Sequence, residues 1–98
     1  MLFVALFKPR ADMNWQEAIK RSLPYKWPDA AGEVVGEYVL AARDPSYIGI
    51  FKADNMAQVL AFMVGWMDLY DISVYPAVTM QESRDISLAW LQATGQAG

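Results

Sequence analysis

Histidine and cysteine are both absent from this 98-residue chain. Their absence removes Ser-His-Asp and Cys-His nucleophiles, thiol chemistry, and the imidazole and thiolate ligands of ordinary zinc sites. Haem ligation narrows to tyrosine. Acid–base work falls to carboxylates, Lys, Tyr or water. No disulfide scaffold is available, which is silent about compartment. Charge is scarce as well, at 19% of residues against about 25% in ordinary soluble domains. The eight basic residues are scattered, Lys20-Arg21 being the one adjacent pair, and the net charge is −3. A nucleic-acid binder shows the reverse, a basic stripe. Long apolar runs are missing too. Met1–Phe7 has its basic residues, Lys8 and Arg10, after it rather than before, which is not the pattern of a signal peptide. Met56–Met67 is interrupted by Gln58 and falls short of the roughly twenty residues that span a bilayer. The expectation is a soluble, cytoplasmic protein with no nucleic-acid or membrane partner.

What is present is apolar. Hydrophobic residues make up 55% of the chain, and exchanging Tyr for Gly in the count leaves it above the roughly 45–50% of soluble domains. The length suits one small domain. A protomer this apolar is expected to hide part of its surface against a second copy.

Met1–Phe7 is apolar on both parities and short, as a central strand covered on both faces would be. Lys8-Pro9-Arg10 closes it. Asn14 to Glu17 has capping-box spacing, and the helix it opens carries Trp15, Ala18, Ile19, Ser22 and Leu23 on one face. Pro24 and Pro28 then bracket a loop around Tyr25-Lys26-Trp27. Glu33–Leu40 and Tyr47–Lys52 read as a hairpin around Ala42-Arg43-Asp44-Pro45, and Gly49 in the returning strand implies close approach of something packed above it. Asn55 to Gln58 repeats the cap spacing before a helix with no charge from Met56 to Met67, so that helix is expected to be buried nearly all round. Asp71–Ala77 alternates as a strand, with Pro76 pointing to a sheet edge. Thr79 to Glu82 opens a last helix with Ile86, Ala89, Trp90 and Ala93 on one face, fraying over Thr94–Gly98.

The order β-α-β-β-α-β plus a terminal helix predicts an α+β, ferredoxin-like fold, a four-stranded antiparallel sheet with helices on one face. Residues 1–98 form one domain, 1–83 its core and 84–98 a C-terminal helix and tail. The second face of the sheet is apolar as well, and a homodimer is the simplest cover for it.

Trp66-Met67-Asp68-Leu69-Tyr70-Asp71, followed by Val74 and Pro76, resembles the signature of a family of small proteins known as domain of unknown function 3303, placed in the dimeric α/β-barrel superfamily. Gly36-Glu37-Tyr38 is similar to that family's glycine-then-aromatic pattern, with Tyr in place of the usual Trp. Lys52-Ala53-Asp54-Asn55 is similar to its third-strand exit, where an acid is more usual than Lys52. The likeness spans about Met1 to Ser83. The element order also resembles muconolactone isomerases and cofactor-free monooxygenases of that superfamily, a likeness of fold.

With Phe3, Ala5, Gly49, Phe51, Ile72 and Val74 turned to the helices, the opposite parity places Leu2, Val4, Leu6, Ile48, Ile50, Lys52, Ser73 and Tyr75 on the face between protomers, with Tyr38 beside them. Lys52 and Tyr75 are the candidate catalytic pair; Tyr38, Lys52, Ser73, Tyr75 and Trp27 are the candidate ligand-binding set. A buried Lys52 would have a lowered pKa and act as base or anion clamp; its alternative is a solvated strand-end lysine. Asp68 and Asp71 could share a proton or a cation, or simply cap the turn. Trp66 and Phe62 read as a stacking wall or as packing, and Tyr25 and Trp27 as a lid or as ordinary loop packing. The functional expectation is a protein binding a small apolar or aromatic molecule in a cavity between sheet and helices or between protomers, with cofactor-independent monooxygenase or isomerase chemistry open to it and no metal or cofactor. The alternative is a non-enzymatic assembly or interaction domain with a core filled by side chains.

Overall fold

The computed structural model describes residues 1–95 and runs β1 (Leu2–Pro9), α1 (Trp15–Ser22), a 3₁₀ turn (Asp29–Ala31), β2 (Glu33–Val39), β3 (Tyr47–Lys52), α2 (Met56–Met63), β4 (Tyr70–Ala77) and α3 (Met80–Ala93). The four strands form one sheet in the order β2-β3-β1-β4 with every neighbour antiparallel, the ferredoxin-like split sheet. The two strands apolar on both parities, β1 and β3, take the centre. Pro76 lies on the edge strand β4, and Pro9 occupies the last position of β1, opposite Tyr70.

Each helix begins on a side-chain cap. Asn14 Oδ1 accepts the Glu17 amide at 3.1 Å and Asn55 Oδ1 the Gln58 amide at 3.1 Å. Only the third cap is a reciprocal box: Thr79 Oγ1 accepts the Glu82 amide while Glu82 accepts the Thr79 amide. Glu17 turns instead to Arg21, and Gln58 reaches the Asp54 amide.

The core lies between sheet and helices. Ala5, Phe7 and Phe51 from the sheet meet Val59 and Phe62 from α2 and Ala31 from the 3₁₀ turn, with Phe3, Ile72 and Val74 packed around them. These are the sheet residues whose parity turns them to the helices. A smaller cluster, Met13, Ala18 and Leu69, seats α1. Gly32 follows the 3₁₀ turn at φ +84°, and a Cβ there would collide with the Lys52 carbonyl oxygen, so the chain re-enters the sheet only through glycine.

One expectation about the helices needs correction. The charge-free α2 is not buried all round: Val59 and Phe62 are buried, while Met56, Leu60 and Val64 are exposed. On α1 only Ala18 is buried, and Trp15, Ile19 and Leu23 of the same apolar face are exposed. A two-layer protomer covers a helix from the sheet side alone, so Met56, Leu60 and Val64 have no third layer over them among the described residues.

The third helix leaves the body. The molecule measures 58 × 28 × 17 Å with a radius of gyration of 17.0 Å, where a compact chain of this length has about 13 Å. No residue of α3 is buried, and Ile86, Leu88 and Trp90 are all more than half exposed. No helix among the described residues is long and apolar enough to cross a membrane. Thr94 caps α3; of the expected fraying over Thr94–Gly98, residues 96–98 lie outside the described residues.

Candidate functional site

A β-bulge decides what the helix side of the sheet presents. Val34 pairs with Phe51, but the register then slips so that Gly36 pairs with Ile50 and Glu37 with Gly49. One extra residue on β2 reverses its alternation. Val34 shares the helix face with Phe51; beyond the bulge Glu37 and Val39 share it with Gly49 and Tyr47, and Tyr38 turns to the other side. A carboxylate is thereby delivered to the helix side, where the alternation of Glu33 and Glu37 against Val34 and Tyr38 had not put it.

There Glu37 borders a cavity of about 430 Å³ between the sheet and the α1–α2 layer. Its walls are aromatic: Phe7 and Tyr47 from the sheet, Trp15 from α1, Tyr25 from the Pro-bracketed loop, Phe62 from α2, and Trp66 and Tyr70 from the segment that follows. Ser22, Val39, Leu40, Ala42 and Ser46 complete it. Phe7 is the hub, with ring centroids 4.7 Å from Tyr47, 5.5 Å from Phe62 and 5.2 Å from Tyr70. Tyr25 and Trp66 meet edge to face at 5.5 Å. Ser46 ties the rim to β1 by donating its amide to the Phe7 carbonyl at 2.8 Å.

Three polar groups border this aromatic cleft. The Tyr47 hydroxyl donates to Glu37 Oε1 at 2.7 Å. The Tyr25 hydroxyl is buried and has no hydrogen-bond partner among the described residues. Burial pushes the Tyr25 phenol up to about 12, and the charge of Glu37 adds to the rise. Tyr47 is raised further by burial and by its bond to Glu37, and burial also raises Tyr70. At neutral pH the phenols are protonated, and each can offer its O–H or accept on its oxygen. An unpartnered buried hydroxyl costs about 1–3 kcal/mol.

The Trp66–Asp71 segment has a structural account. Leu69 is buried beside Met13 and Ala18, and Trp66 packs against both core clusters. Asp68 receives Arg21 through two contacts, 2.8 Å to Oδ1 and 2.9 Å to Oδ2, while Arg21 also reaches the Gly65 carbonyl and Glu17. This fork ties α1 to the turn before β4. Its hydrogen bonds hold the Asp68 carboxyl below its ordinary range and raise the guanidinium. Asp71 lies 3.8 Å from Arg10. The two aspartates are each engaged with an arginine rather than with each other.

The residues singled out from sequence fall elsewhere. Tyr38, Ser73, Tyr75 and Lys52 lie on the outer sheet face and are exposed in the protomer. They share that face without converging: Tyr38, Ile48, Leu6 and Ser73 form one cross-strand row, so Tyr38 and Ser73 are roughly 14 Å apart at about 4.8 Å per strand. Lys52 borders a groove with Met1, Val35, Ile50 and Glu82 at the foot of α3. Trp27 is a core residue. Its ring stacks on Phe62 at 4.6 Å and its indole N–H donates to the Gly32 carbonyl at 3.0 Å. Of the two loop aromatics, Tyr25 alone reaches the cavity. Glu37 and Tyr47 were missed as site residues. The bulge that turns Glu37 inward leaves no mark in the alternation, and the one legible signal was Gly49, bare beneath Tyr47.

Sheet order, helix layer and cavity together define a ferredoxin-like α+β domain with an aromatic chamber on the helix side of its sheet. Residues 1–90 match the model of the family described as Domain of unknown function (DUF3303), and the chain belongs to that family. The match runs past Ser83 and takes in most of α3. No curated protein and no solved structure matches the chain.

Proposed function

We propose that this protein binds a small apolar or aromatic molecule in the cavity between its sheet and helices. The observation that carries the proposal is a cavity of about 430 Å³ walled by aromatic rings and bordered by the hydrogen-bonded pair Tyr47 and Glu37. Ligand pockets have volumes of about 300–1,000 Å³ and combine apolar walls with a few placed polar groups. The proposal is one of binding. Tyr25 and Tyr47 are held protonated and cannot serve as bases near neutral pH, and Glu37 already accepts the Tyr47 proton donor. Titrating isotope-labelled protein with indole and 2-phenylethanol tests the reading. Shifts are expected in the resonances of Tyr25, Tyr47 and Trp66. An absence of shifts, or shifts confined to the outer sheet face, would overturn it.

A second reading concerns assembly, and α3 favours it. The outer face carries Leu2, Val4, Leu6, Ile48 and Ile50 with no layer over them among the described residues, and α3 projects from the body with Ile86, Leu88 and Trp90 exposed. A second copy of the chain covers both at once, pairing outer faces with each arm lying on its partner. That assembly is the homodimer of the dimeric α/β-barrel superfamily, working in the cytoplasm.

A further inference from the structure

We propose that the ligand of the helix-side cavity is an organic cation, an ammonium group carried on an aromatic or aliphatic body. The inference rests on the cavity being a binding site and adds the charge of what enters it.

Glu37 is the sole charged residue in the cavity lining, where no lysine or arginine occurs. The guanidinium of Arg21 has its centre 6.0 Å from the Trp66 ring and is committed to Asp68, Glu17 and the Gly65 carbonyl. The carboxylate is held in place: Oε1 takes the Tyr47 hydroxyl at 2.7 Å, and no basic side chain among the described residues pairs with Glu37. Oε2 is left to a ligand. A carboxylate fixed beside a wall of aromatic faces is the arrangement that stabilises a cation twice, by charge and by the ring quadrupoles. An anionic ligand meets the opposite environment, one negative charge and no counter-charge. A neutral ligand gains the apolar walls alone.

Three probes of similar size separate these cases: 2-phenylethylammonium, 2-phenylethanol and 3-phenylpropionate, titrated at neutral pH and followed by the amide and aromatic resonances of the cavity. The ammonium is expected to bind at least tenfold more tightly than the alcohol, and the carboxylate more weakly than either. In Glu37→Gln the preference for the ammonium should fall to within about twofold of the alcohol. Equal or tighter binding of the alcohol in the wild-type protein overturns the cation and leaves the cavity reading intact. Absence of shifts at the cavity with all three probes overturns both. The wild-type rank order decides the matter even if the Glu37 variant fails to fold.

Discussion

Gly49 is bare because Tyr47 lies over it: a Cβ at Gly49 would stand 2.9 Å from the Tyr47 hydroxyl. The phenol runs flat along its own strand, covers the glycine two residues on, and so reaches Glu37, whose backbone pairs with Gly49. An aromatic ring covering a strand glycine is a known way of protecting that weak point of a sheet. The same arrangement recurs on the outer face, where Tyr38 lies over Gly36. Gly49→Ala is therefore expected to lift Tyr47, break its bond to Glu37 and destabilise the fold by about 1–2 kcal/mol in urea unfolding. Most of that cost should vanish in a Tyr47→Ala background, a coupling that a double-mutant cycle reads directly. Gly32→Ala, which collides with backbone at positive φ, should cost about 3 kcal/mol or more.

Arg21 and Asp68 make stability depend on pH at the acid end. The folded-state pKa of Asp68 is depressed, so its contribution is present in full above the unfolded carboxylate value of about 3.9 and is lost as pH falls through the lower folded value. Relative to Asp68→Asn, the wild-type protein should show a constant advantage above about pH 5 that shrinks to nothing on acidification. An advantage independent of pH in chemical unfolding between pH 2 and 7 would contradict it.

Lys52 and the cavity lie on opposite faces of the sheet. Lys52→Met is expected to leave the affinity for 2-phenylethanol unchanged within about twofold, since the side chain cannot reach Tyr25 or Glu37 from the outer groove. A loss of binding in this variant would move the site to the space between protomers.

For assembly, the expected mass by light scattering is twice the protomer's 11.0 kDa. Ile48→Arg places a charge in the centre of the outer face, and removal of residues 84–98 takes away the arm. Each change should shift the population toward monomer at micromolar concentration. A wild-type monomer, or a dimer indifferent to both changes, would remove the outer face and α3 from the interface.

The chain by itself determined its element order, because that order is local: cap residues at Asn14, Asn55 and Thr79, prolines after α1, and alternation within each strand act on neighbours a few residues apart. From that order came the ferredoxin-like sheet and the central place of β1, while packing selected the parity that turns Phe3, Ala5 and Phe51 to the helices. Gly49 even announced a close neighbour. Tertiary structure decided the site. The bulge at Val34–Gly36 is a property of two paired strands and not of β2 alone, and one slipped residue exchanged Glu37 for Tyr38 on the helix side. Tyr25 became a site residue, and Trp27 a core one, through where a loop came to rest on Trp66 and Phe62. Which side of α1 and α2 finds cover depends likewise on what lies next to them in space. Periodicity records that a residue is apolar, and only the packed neighbours determine whether it is buried.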